Sequence, residues 1–171
     1  MTLILNLDRW FRNQLDLIGG FLALLTVRLL LGWEYWEAGF EKFNGENWFG
    51  FIQEKFPFPF NIIDPEISWF ISTWFEMIGS IALVIGLGTR YFSISLLILT
   101  IVAIIAVHIP VEGWASFGDM LSGYAISDKG NGNYKLPLIF MVLFMPLIFL
   151  GPGKFSLDYL IEGHFNKTDR R

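Results

Sequence analysis

A run that begins as apolar as a lipid-facing helix and then fills with charge constrains this chain most. From Thr26 to Phe43 it reads TVRLLLGWEYWEAGFEKF, with Arg28, Glu34, Glu37, Glu41 and Lys42 inside 15 positions. A charged group at membrane depth costs roughly 2.5–3.5 kcal/mol even on the lenient insertion scale, so each needs a partner or water. At about 100° per residue, a helix sorts these side chains onto two faces. Glu34, Glu37 and Glu41 make an acidic stripe at i, i+3, i+7. Arg28, Gly32, Tyr35, Gly39 and Lys42 share another face, where two glycines admit a neighbouring helix.

The rest of the composition says which solvent surrounds that helix. Of 171 residues, 54% are hydrophobic, 18% aromatic and only 16% charged, and the mean hydropathy is +0.52. Soluble domains carry about 25% charged residues, so this chain is built for lipid. A formal charge of −4 argues against a nucleic-acid partner, which would need a basic face. The absence of cysteine excludes a disulfide and a thiolate metal site.

Residues 1–16 lack the basic n-region and small-x-small site of a signal peptide. Leu7, Trp10, Phe11, Gln14, Leu15 and Ile18 instead follow helical spacing, as in an interfacial amphipathic helix feeding a span. Four spans are predicted, at about 17–42, 67–88, 91–109 and 136–150, with no internal repeat. The last is short and carries Pro137 and Pro146, so it needs flanking residues or a thin bilayer. The expected fold is an all-α membrane protein. It is a single domain over 1–171, a four-transmembrane-helix bundle with interfacial amphipathic helices.

Lys and Arg near the span ends favour both termini in the cytoplasm. Arg9, Arg12, Arg90, Lys154, Lys167, Arg170 and Arg171 lie on one side, against Lys42, Lys55, Lys129 and Lys135 on the other. The long loops 43–66 and 110–135 then face outward, and Gly88-Thr89-Arg90 makes a tight inner hairpin. Trp48, Phe51, Ile52 and Lys55 predict a short interfacial helix, PFPF an extended stop after it, and 114–125 a further helix.

Two constellations could carry chemistry. With Trp36 and Trp69 marking one interface, Arg28 and Glu76 fall about 12 Å and 10–11 Å below it, an equal depth that predicts a buried ion pair. A structural clamp is the simpler reading of that pair. Glu34, Glu37 and Glu41 with His108 could bind a cation, relay protons or dock a polar ligand from outside. The plainer alternative is a solvated helix end, and Glu34 is the deepest of the four. Two histidines are too few for several bis-His haems. No P-loop, HExxH, GxGxxG or GxSxG motif occurs. Met77, Met141 and Met145 read as core rather than soft-metal ligands, and no metal site is predicted.

RLLLGWEYWEAGFEKF followed by FEMIGSIALVIGLGTRYFSISLLILTIVAI resembles the DoxX family of small four-helix membrane proteins. The residues that carry the likeness are Arg28, Gly32, Gly39, Glu41 and Lys42, then Glu76, Gly79, Gly86, Thr89 and Arg90, over about 20–110. GYAISDKGNGNYKLP and GPGKFSLDYL resemble the HvfX-type branch, associated with copper-binding ribosomal peptides. That resemblance implies the bacterial inner membrane. It also implies a non-catalytic accessory role in docking, tethering or export of a modified peptide beside its maturation enzymes, any copper being carried by the peptide. The likeness to DoxD implies a rival reading, a quinone-linked oxidoreductase subunit with its pocket between spans one and two. A purely structural scaffold is the third reading, and a homo-oligomer is compatible with each.

Overall fold

A computed structural model of the chain describes residues 2–110, 112–126 and 132–168. Residues 127–131 of the Gly/Asn turn cluster, with Lys129, lie outside the described residues, as do Arg170 and Arg171. What is described is helix and turn, without a strand. The helices are α1 (Thr2–Asn44), α2 (Pro65–Ile85), α3 (Thr89–Ala103), α4 (Phe117–Ser122), α5 (Lys135–Leu150) and α6 (Leu157–Thr168).

α1 runs unbroken for 43 residues, about 65 Å at 1.5 Å per residue. The separate interfacial helix expected over 1–16 is therefore one continuous rod with the first span. No proline interrupts it, and Gly19 and Gly20 lie in open space that imposes no bend. α2 starts where Asp64 accepts from the Glu66 amide at 2.8 Å with Pro65 at the first helical position. It ends at Gly86, whose φ of 72° only glycine takes freely, with the Gly86 and Leu87 amides both on the Ala82 carbonyl. α3 starts three residues later and closes in a π-helical turn, Ile104–His108, stopped before Pro110.

Three helices among the described residues are long and apolar enough to cross a membrane, Ile4–Asn44, Pro65–Ile85 and Thr89–His108. α5, at 16 residues, reaches about 24 Å, short of a hydrocarbon layer of about 30 Å. It packs mainly on α3 and less on α1. Leu31, Tyr35, Leu83, Leu96, Phe144 and Leu147 form the main core, drawn from α1, α2, α3 and α5. Large apolar side chains such as Phe70, Ile78, Ile81 and Val142 stand half or more exposed around it. A surface so apolar belongs against lipid.

α1 and α2 are the closest pair, antiparallel, with the two glycines of α1 at the contact. A Cβ on Gly32 would lie 2.6 Å from Val84 Cγ2, and one on Gly39 would lie 2.9 Å from Met77 Cγ. Beyond α1 the chain makes 3-10 turns at Phe49–Phe51, Gln53–Lys55 and Phe60–Ile62 instead of one interfacial helix and an extended stop. Phe49 and Phe56 fold inward there onto Ala106, Trp69 and Val102, and this aromatic packing overrides the helical spacing. The helix expected at 114–125 is the shorter α4.

Candidate functional site

Arg28 and Glu76 do not pair. Arg28, 1% exposed, is the largest fully buried side chain. Its Nε donates to Leu83 O at 2.7 Å and Nη2 to Val84 O at 2.7 Å, while Nη1 donates to Pro152 O at 2.9 Å and Phe155 O at 2.6 Å. Leu83 and Val84 supply carbonyls of the last turn of α2, where the helix carries its negative end, and Leu83 O also accepts from the Gly86 amide at 3.2 Å. A planar fork with five N–H groups suits several carbonyls at once, where an ammonium would not.

The turn Arg28 holds is braced from its other side. Asp158 accepts from the amides of Gly88 at 2.7 Å and Thr89 at 3.0 Å, at the positive start of α3. The Asp158 amide donates to Gly86 O at 2.9 Å. A Cβ on Gly86 would strike Ser156 Cβ at 2.5 Å and Arg28 Nη2 at 2.7 Å. Gly86, Thr89, Arg90 and the GPGKFSLD segment thus form one joint, with Arg90 lying along Gly151. Sequence reasoning missed Pro152, Phe155 and Asp158. The signal was the GPGKFSLDYL stretch that carries part of the resemblance and contains all three.

Glu76 pairs instead with Lys42, Nζ to Oε2 at 2.5 Å, with side chains 18% and 9% exposed. The reason is register. Gly39 sits on Glu76 and Met77, and Gly32 on Ser80 and Val84, so Arg28 falls level with the end of α2. Lys42, three residues past Gly39, falls level with Glu76. Trp36 and Trp69 do not mark one level, because Trp69 packs on Trp48 and Phe49 beyond the end of α1.

This ion pair forms part of the wall of a cavity of about 230 Å³ between α2, α3 and the 3-10 turns. Phe49, Ile52, Phe56, Phe60, Leu99 and Val102 make most of the lining apolar, and Ser68, Ser72 and Glu76 make one polar row along α2. Ile71 and Val107, both in the lining and more than two-fifths exposed, leave the cavity open at the flank of the helices. Its volume suits one ring system and is far too small for a folded peptide. A larger groove of about 550 Å³ at the Arg28 end is lined by Arg90, Tyr91, Lys154, Asp158 and Glu162. Asp158 there is already engaged by backbone amides, so that groove reads as the outer surface of the joint.

The expected outward site does not come together around the cavity. None of Glu34, Glu37, Glu41 and His108 lines it. Glu34 is half-buried, and Glu37 and Glu41 are exposed on α1. His108 Nδ1 lies 2.6 Å from Gly132 O, and His108 O accepts from the Gly132 amide, so this histidine ties the second long loop to α3. No group of three or more His, Asp or Glu that could hold a metal occurs among the described residues. Gly79, one of the residues that carry the family likeness, meets Leu96 of α3.

A family model described as DoxX matches residues 23–109, the stretch that holds α2, α3 and the Lys42–Glu76 pair. An uncharacterized protein of Haemophilus influenzae is 43% identical over 145 residues, which cover 85% of this chain and 87% of that one. No solved structure matches the chain.

Proposed function

Since the chain belongs to the DoxX family, we propose that it is a bacterial inner-membrane protein that holds a small lipid-soluble ligand of the quinone class beside Lys42 and Glu76. It crosses the membrane four times, α5 being completed by its flanking residues, with both termini in the cytoplasm. The observation that carries the reading is a buried ion pair in the wall of an otherwise apolar cavity. Such a pair offers a donor to a carbonyl oxygen and an acceptor to a hydroxyl, while the apolar wall takes the ring. The opening past Ile71 and Val107 faces the same phase in which such a ligand dissolves.

Trp48 lines the cavity and Trp69 packs against it, so binding is readable as tryptophan quenching. Titration with a short-tailed ubiquinone analogue is expected to quench saturably. Val102→Phe, which fills the cavity without touching the ion pair, is expected to weaken binding at least tenfold. A linear, non-saturating response in the unmodified protein would overturn the reading.

A role as accessory component in maturation of a copper-binding ribosomal peptide draws on a different surface. The Lys42 end exposes Phe51 at 90% and Phe58 at 78%, and Glu37 and Glu41 are exposed near the end of α1. An apolar, acidic rim of that kind suits docking of a peptide or its modifying enzymes. Cross-links from position 51 or 58 to a co-expressed peptide would support this docking role. Their absence, with saturable quinone binding, would leave the cavity as the working part.

A further inference from the structure

The larger groove, on the outer surface of the joint at the Arg28 end, has a ligand chemistry of its own. We propose that it seats the headgroup of an anionic phospholipid, with the phosphate diester between Arg90 and Lys154. Both cations line the same space of about 550 Å³. Neither is spent elsewhere, since the ion pairs among the described residues are Arg12 with Asp8 and Lys42 with Glu76. The Arg90 guanidinium makes no hydrogen bond among the described residues. Its Nε and Nη2 lie 3.2 and 3.3 Å from where a Cβ on Gly151 would stand, so a residue without a side chain leaves the fork its place. Lys154 Nζ stands 5.1 Å from the centre of the Phe21 ring, a contact that orients the ammonium without neutralising it.

Two carboxylates, Asp158 and Glu162, line the groove as well. Asp158 is committed to the amides of Gly88 and Thr89 at the positive start of α3. Two cations then face Glu162 alone, which leaves one positive charge. A phosphate diester carries one negative charge and matches that balance, whereas a phosphate with a free second ionisation carries roughly 1.5 to 2 and exceeds it. Position favours a lipid too. The groove lies where α3 begins at Thr89 and α5 ends at Leu150, the ends of two apolar helices. Headgroups lie at that level, and basic pockets between helix ends hold anionic ones. Tyr91 and Leu150, both well exposed, continue the lining on its apolar side, where acyl chains would leave. A free anion has no use for that rim.

Native mass spectrometry of the full chain in detergent reads the bound lipid, with phosphatidylglycerol and phosphatidylcholine as probes and inorganic phosphate as competitor. Phosphatidylglycerol is expected to occupy one site in preference to phosphatidylcholine, and phosphate is expected not to displace it. Arg90→Gln and the exposed change Lys154→Gln are each expected to weaken phosphatidylglycerol about fivefold. Lys55→Gln, exposed at the opposite end, is expected to change nothing. Gly20→Trp is expected to exclude the lipid, because Gly20 lines the groove and a Cβ there meets nothing within 4 Å. Unchanged binding in either Lys154→Gln or Gly20→Trp, an equal loss in Lys55→Gln, or equal affinity for the two lipids would overturn the headgroup site. Displacement by phosphate would give the cations to a free anion and overturn the lipid. None of these readouts touches the cavity beside Lys42, so the two readings stand or fall separately.

Discussion

Lys42 and Glu76 are each tolerable only because of the other. Removing one partner of a buried pair strands a charge and costs about 3–5 kcal/mol, whereas replacing both with apolar groups of similar size is much milder. Lys42→Met and Glu76→Leu are each expected to lower the yield of folded protein, and the double variant to recover most of it. Arg28→Leu combined with Glu76→Leu is expected to show additive losses, since Arg28 spends its donors on four backbone carbonyls. Thermal unfolding in detergent reads both cycles. Recovery in the Arg28 pair and none in the Lys42 pair would overturn the assignment. Lys42 stood in the sequence as one charge near an acidic stripe. Nothing local marked it as the partner of an acid in another helix.

At the scale of elements, the two glycines of α1 carry the register that decides those partners. Gly39 meets Met77 and Glu76 with no room for a Cβ, whereas Gly20, on the same helix, meets nothing. Gly39→Leu is expected to destabilise by about 1–3 kcal/mol through overpacking, and Gly20→Leu to be neutral or slightly stabilising through helix propensity. A melting temperature lowered equally by both would count against the close contact. The glycine face was legible from spacing alone, since small residues at i and i+7 of an apolar helix have few other uses. Register was not legible. Depth reckoned from Trp36 and Trp69 puts Arg28 level with Glu76, but Trp69 belongs to a packed aromatic cluster and does not mark the same level as Trp36. The 3-10 turns were hidden for a related reason: Trp48, Phe51, Ile52 and Lys55 have helical spacing, but Phe49 and Phe56 between and beyond them are the residues that are buried.

For the whole molecule, the helices and their order followed from apolar runs and breakers, while the cavity depended on contacts between segments far apart in the chain. The same architecture makes the two ends of the molecule distinct. The 3-10 turns after α1 and the described part of the loop after α3 lie at the Lys42 end, and the Gly86–Gly88 turn with the 151–156 segment closes the Arg28 end. On the proposed orientation, a single cysteine at Glu46 is expected to react with a membrane-impermeant maleimide added outside intact cells, and one at Glu162 only after lysis. The native chain has no cysteine to confuse the readout. The reverse pattern would turn the molecule over and put the cavity near the cytoplasmic face.

The grip of Arg28 also has a consequence in time. Its acceptors Pro152 and Phe155 lie 124 and 127 residues further along the chain. A ribosome therefore delivers the cation long before half of its acceptors exist. Until the segment after α5 emerges, the nascent helix holds a guanidinium only partly satisfied at the edge of the bilayer. Once closed, that fork joins the first span to the segment after α5. A polypeptide cut short before Pro152 lacks both of these acceptors and leaves the joint open.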